Sequence, residues 1–207
     1  VQTAVAQTLV LSNRPYTIHD LLELNVERWP RFEVLGGTLM MSPAPAPKHQ
    51  LICDNLQSLL AFTSPHGSVF SGSHLRLGED ETGMVPDIMV LHPDVDIERT
   101  YFEAEDVLAV VEVVSPGNRK NDRIVKTVAY AEAGIPFYWR VELLPFRGQG
   151  EAQLPVVLVQ ENAGDGYREV ERLAAGEVGT VTRPFPVTFD PADLLDLRWH
   201  QKRFRED

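Results

Sequence analysis

Val107-Leu108-Ala109-Val110-Val111-Glu112-Val113-Val114 is the most apolar run of the chain. It is rich in valine, which packs well on a pleated surface, so it reads as a strand buried on both faces. Glu112 breaks that run with a carboxylate. Burying an isolated carboxylate costs several kcal/mol or more, so such a group takes a partner or a metal. A second acid lies 25 residues upstream, where Pro86-Asp87 opens the apolar strand Ile88-Met89-Val90-Leu91. Two acids riding on apolar strands point to a shared cation site.

Outward from this strand, Ser115-Pro116-Gly117-Asn118 has turn chemistry. Asn121 or Asp122 can cap a helix over Ile124, Val125, Val128, Ala129 and Ala131, which Gly134 and Pro136 end. Phe137 to Val141 reads as the next strand. Strand, helix, strand implies a right-handed crossover and a parallel pair. Upstream, Thr17 is a plausible N-cap for a helix through Ile18, Leu21, Leu22 and Leu24, with Asp20 at the capping-box position. Gly36-Gly37 marks a hairpin between Arg31–Leu35 and Thr38–Met41. A stiff segment, Pro43 to Pro47, precedes a helix carrying Ile52, Leu56, Leu59, Leu60 and Phe62. Ser68 to Leu77 and Val85 to Leu91 read as single strands, with an acidic turn between them. His92 to Asp106 reads as a polar connection. Downstream, Pro155–Gln160, Tyr167–Leu173 and Val178–Thr182 form a terminal meander, and Asp190-Pro191 starts a short helix. The expectation is a mixed α/β fold: residues 1–14 a loose leader, and residues 15–207 one domain with a core at about 16–144 and an extension at 145–207.

A chain of 207 residues can bury a full core. Its net charge of −11 weighs against a simple electrostatic nucleic-acid binder, although a local basic patch or bound divalent ions can reverse the field at a site. The single cysteine, Cys53, excludes an intrachain disulfide and a cysteine zinc cluster, and its apolar helical setting suits a buried core thiol. No apolar stretch approaches the roughly 20 residues of a membrane helix, and Val1–Val10 lacks the basic start of a signal peptide. A reducing cytoplasm is the expected setting.

Two close carboxylates cannot both stay ionised without a counterion, and Mg²⁺ or Mn²⁺ suits hard oxygen ligands. Such an ion lowers the pKa of a water and neutralises charge developing on a phosphodiester. Lys126, on the following helix, is the candidate assisting cation. Arg119, Lys120, Arg123 and Lys126 together would suit a phosphate backbone. The competing readings are structural. Asp122 and Lys126 can form a surface pair one turn apart, Glu112 can be bridged by Arg123 or Arg140, and Asp87 can be an exposed strand-start residue.

Pro86-Asp87 followed by Glu112-Val113-Val114 resembles the PD-(D/E)XK nuclease signature. Pro43 to Gln50, Val85-Pro86-Asp87-Ile88, Val111 to Pro116, Asp122-Arg123 with Lys126, Tyr130-Ala131 and Gly134 to Trp139 further resemble the Uma2 family of restriction-endonuclease-like proteins, over about residues 16–144. The resemblance implies a central mixed sheet between helices with the acids at one edge. It makes Asp87, Glu112 and the Val113 carbonyl the ligands of Mg²⁺ or Mn²⁺, places Glu33 near the site, and assigns catalysis to Asp87, Glu112, Lys126 and Glu33. The wider signature has lysine where this chain has Val114, and Lys126 takes over from the helix. Glu142 stands where the family has aspartate, in a structural position. His49, Ser115, Asp122 and Arg123 are accessory candidates, with His49 read as a general base or a capping residue and Ser115 as a hydrogen-bond partner of the turn. Tyr130 and Trp139 read as core aromatics, and Trp199 with Lys202 to Arg205 as a solvated terminus.

The function implied is a divalent-metal-dependent endonuclease acting on nucleic acid, DNA first, as a homodimer and away from membranes. The alternative is an inactive nuclease fold serving as a binding or assembly module.

Overall fold

The structure is a computed structural model that describes residues 13–25, 30–42, 44–79, 81–115 and 121–199, with the side chains of residues 121 and 122 outside that description. The leader expected at residues 1–14 lies almost wholly outside the described residues, as do Pro116–Lys120 and the basic tail after Trp199.

Helix α1 (Ile18–Leu24) starts where Thr17 predicts. The Thr17 backbone N–H donates to the Asp20 carboxylate at 2.7 Å, and Arg14 pairs with the same group at 2.7 Å. The Arg14 hydrogen bond is the main reason the Asp20 carboxyl sits at about 2. Strands β1 (Arg31–Leu35) and β2 (Thr38–Ser42) form the expected hairpin. Gly36 and Gly37 both have positive φ, +52° and +74°, as a two-residue turn of the primed kind requires.

Helix α2 (Pro47–Thr63) follows, with proline in its first turn where no N–H partner is lost. The chain then departs from its expected course. Ser68–Leu77 is two strands, β3 (Val69–Phe70) and β4 (His74–Arg76), separated at Gly72 with φ +68°. The next segment likewise divides into β5 (Gly83–Met84) and β6 (Ile88–Leu91) around Val85-Pro86-Asp87. Pro86 has no N–H for a ladder, and the Val85 N–H donates to the Glu33 carboxylate at 3.0 Å. Within the polar connection lies a short strand, β7 (Tyr101–Glu103), parallel to β4 and tied by Arg76 to Glu103 at 2.6 Å. Three residues are too few to show a period in sequence.

Strand β8 (Val107–Val114) matches its reading, and α3 (Lys126–Glu132), entered by a wide turn at Asn121–Val125, carries the chain to β9 (Phe137–Glu142), parallel to β8. The terminal strands are β10 (Val156–Asn162), β11 (Tyr167–Ala174), β12 (Gly179–Val181) and β13 (Val187–Phe189). Of these, β10 and β11 continue the central sheet, while β12 and β13 pair alone. The short helix after Asp190 is present at Pro191–Leu195.

Two larger sheets result: β2-β1-β5-β4-β7 and β11-β10-β9-β8-β6-β3. The chain crosses between them five times, and Asp87 lies at the third crossing, between β5 and β6. One core joins α2 to the face of the six-stranded sheet that bears Val111 and Val113. A second, which includes Tyr130, Tyr138 and Val110, lies on the α3 side. A third places Ile18 and Leu21 of α1 on Phe32 and Val34. Trp199 is buried in the first core, so the solvated-terminus reading does not hold for it.

Gly83 lets α1 approach β5. A Cβ there would meet Ile18 Cδ1 at 2.7 Å and Leu21 Cδ1 at 2.8 Å, both on buried side chains. Gly83→Ala should therefore cost about 1 kcal/mol through overpacking. Urea titration reads it, and an unchanged midpoint would mean that α1 shifts without strain.

Candidate functional site

The β6–β8 register pairs Ile88 with Val111, so its continuation sets Asp87 opposite Glu112. Glu112 lies on the same face of β8 as Val110, toward α3. Its Oε1 accepts from Lys126 Nζ at 3.0 Å and from the Tyr130 hydroxyl at 2.7 Å. The same Lys126 Nζ lies 3.0 Å from Glu33 Oε1, which reaches across from β1 of the other sheet. One ammonium thus bridges two carboxylates, with all three side chains no more than 5% exposed. The surface-pair reading of Lys126 is overturned, because its ammonium is buried between two acids, whose charges offset the hydration it has lost.

Asp87 is held from three sides. The Val113 N–H donates to its Oδ2 at 2.9 Å, His49 Nε2 lies 3.2 Å from that oxygen, and Arg31 Nη1 lies 4.0 Å from Oδ1. Burial pushes the Asp87 carboxyl up, but the His49 hydrogen bond, the charges of His49 and Lys126 and the Val113 amide outweigh it, leaving the group below its ordinary value. At 14% exposure, Asp87 is neither an exposed strand start nor fully sealed. With Arg31, 18% exposed, it forms the most open part of the cluster. His49 is buried in the first turns of α2 and hydrogen-bonds Asp87 instead of capping the helix. Its Nδ1 lies 3.5 Å from Cys53 Sγ, one turn on. Cys53 is buried in the first core as expected, and burial followed by the Asp87 and Glu112 charges pushes its thiol well up. Tyr130 is a core aromatic that also serves the site. Burial, then the Glu112 and Glu33 charges, raises its phenol well above the usual range, so it stays a donor.

Other residues go elsewhere. Arg123 makes a two-pronged contact with Glu142, at 2.6 Å in its shorter arm, and Arg140 Nε lies 2.9 Å from the same carboxylate without the alignment of a hydrogen bond. The bridge from either arginine to Glu112 is thereby overturned, and Glu142 is structural as read. Two cations of the basic stretch are engaged, Arg123 with Glu142 and Lys126 with two acids, and Arg119 and Lys120 lie outside the described residues. Asp122 contributes described backbone only, and Ser115 sits just past β8 at the edge of the described chain.

Reading the sequence missed Arg31, Cys53 and Tyr130 as members of this cluster. The signals were there. Arg31 is two residues from Glu33 on one strand face, Cys53 is four from His49, and Tyr130 is four from Lys126.

The model of the Uma2 family, described as "Putative restriction endonuclease", matches residues 18–197. The chain belongs to the Uma2 family. The match runs past residue 144 and takes in β10 to β13. A crystal structure of a "putative nuclease belonging to DUF820" from Anabaena variabilis ATCC 29413 superposes on this Uma2 chain with a TM-score of 0.65. The two are 18% identical, covering 89% of this chain and 99% of the other, and that likeness shows the fold. No curated protein matches the chain. Among the described residues, no helix of this Uma2 chain is long and apolar enough to cross a membrane.

The donor set fits a hard divalent cation. Two carboxylates, Glu33 and Glu112, flank one buried ammonium, and the register sets a third, Asp87, opposite Glu112 with Arg31 at the rim. Carboxylate oxygens are the ligands that Mg²⁺ and Mn²⁺ favour.

Proposed function

We propose that this protein is a divalent-metal-dependent endonuclease that hydrolyses phosphodiester bonds of nucleic acid, DNA first. The observation that carries the reading is the ammonium of Lys126, which reaches Glu112 from α3 and supplies the charge that the strand position Val114 does not. Asp87, Glu112 and the Val113 carbonyl would hold Mg²⁺ or Mn²⁺. Bound there, the ion would supply Lewis-acid charge and an acidified water at neutral pH.

The chain's own residues do the rest. Glu33 and Tyr130 fix Lys126 and Glu112 so that neither carboxylate needs to reorient. The backbone of Val113 and the ring of His49 hold Asp87 against rotation. Arg31, at the open side, suits a phosphate oxygen of the substrate, which a guanidinium can bind in a fork. A net charge of −11 disfavours long non-specific contacts with a polyanion, so binding depends on the cation and this local edge.

Incubation of the purified protein with plasmid DNA and with RNA, in Mg²⁺ or Mn²⁺ and in EDTA, tests the reading. Cleavage that EDTA abolishes is expected. Intact substrates under both metals, with no saturable Mn²⁺ binding by calorimetry, would favour a binding or assembly module. Dimerisation is part of the proposal, since cutting both strands of a duplex calls for two such sites.

A further inference from the structure

His49, Cys53 and Asp87 bring an imidazole, a thiol and a carboxylate together, with one ligand atom from each lying within 4.8 Å of the others. Cys53 Sγ is 3.5 Å from one ring nitrogen of His49, and Asp87 Oδ2 is 3.2 Å from the other. The edge of a zinc tetrahedron, from bond lengths of 2.0 to 2.3 Å, is about 3.3–3.8 Å. Closing the three donors on one ion therefore takes a contraction of up to about an ångström, with the ring turned so that one of its nitrogens meets both partners. His49 and Cys53 are one turn apart on a single face of α2, so the helix fixes their spacing, and Asp87 meets them from the crossing between sheets.

We infer that these three residues form a second cation site, selective for a soft or borderline divalent metal such as Zn²⁺ or Co²⁺, which shares Asp87 with the hard-cation site. Thiolate and imidazole donors select zinc and cobalt, whereas Mg²⁺ prefers oxygen alone. On coordination the Cys53 thiol gives its proton to buffer and forms the sulfur–metal bond, while His49 binds through one neutral nitrogen. Three protein ligands leave a fourth position for water, as in open zinc sites. Because Asp87 cannot serve both ions fully, zinc at this site weakens the binding of Mg²⁺ or Mn²⁺. The site stands on its own geometry and does not require the protein to cut nucleic acid.

Titration of the purified full chain with Co²⁺ is the test, read as the near-ultraviolet thiolate-to-cobalt absorption. One equivalent is expected to bring up the band, and one equivalent of Zn²⁺ to bleach it. Cys53→Ala should abolish the band and weaken Co²⁺ at least about 100-fold, whereas Glu112→Gln should retain it with affinity within about threefold. No thiolate band in the parent protein would overturn the proposal, whatever the variants do. So would a band that survives in Cys53→Ala or one that disappears in Glu112→Gln. Failure of this site leaves the nuclease reading standing, and absence of cleavage leaves this site standing.

Discussion

Lys126→Met is expected to be the most destabilising single change in the site, costing about 3–5 kcal/mol. The methionine keeps most of the side-chain volume and removes the ammonium. Glu33 and Glu112, no more than 3% exposed, would then face each other without the cation that joins them at 3.0 Å. Like charges in such a setting cannot both stay ionised. The same logic gives a second readout. A divalent cation added to the variant replaces the missing charge, so Mn²⁺ on the order of millimolar, as for weak carboxylate sites, should raise the variant's melting temperature more than the parent's. Chemical denaturation measures the first, and thermal unfolding with and without Mn²⁺ the second. A loss under about 1 kcal/mol would mean that the acids find another partner and that Lys126 is incidental.

Glu112→Gln is expected to leave the fold standing and to reduce metal-dependent cleavage at least about 100-fold, the scale on which one well-placed electrostatic group acts. The amide oxygen can still accept from Lys126 and Tyr130, now at 3.0 and 2.7 Å from Glu112 Oε1. What disappears is the charge that would hold the cation. Calorimetry with Mn²⁺ should show weakened binding in step with the lost cleavage. Full activity in this variant would remove Glu112 from the chemistry and with it the proposed mechanism. Combining Glu112→Gln with Lys126→Met should cost less than the two effects added, since the residues touch and share one charge balance.

Much of this was legible in the chain. The apolar period of β8 and its single carboxylate announced a buried acid, and the glycine pair announced the first hairpin. Proline before Asp87 marked a strand start, though not that the strand breaks there and changes sheet. That break depends on Val85 giving its N–H to Glu33, a partner 52 residues away in sequence. Strand β7 was hidden by its length. Trp199 looked like a terminal residue because a lone aromatic near a chain end carries no period. Arg123 and Lys126, three residues apart on one helical segment, looked alike as cations. The structure sends one to Glu142 and the other to Glu112 and Glu33.

Residue order alone determined the local conformations and the presence of acids where burial demands compensation, because period, capping and turn chemistry act over a few neighbouring residues. Which groups compensate which was decided only by the tertiary structure. Two sheets meet at the crossing beside Asp87, and helices α2 and α3 bring His49, Cys53, Lys126 and Tyr130 to it. Charge pairing falls off with distance through space and is indifferent to distance along the chain.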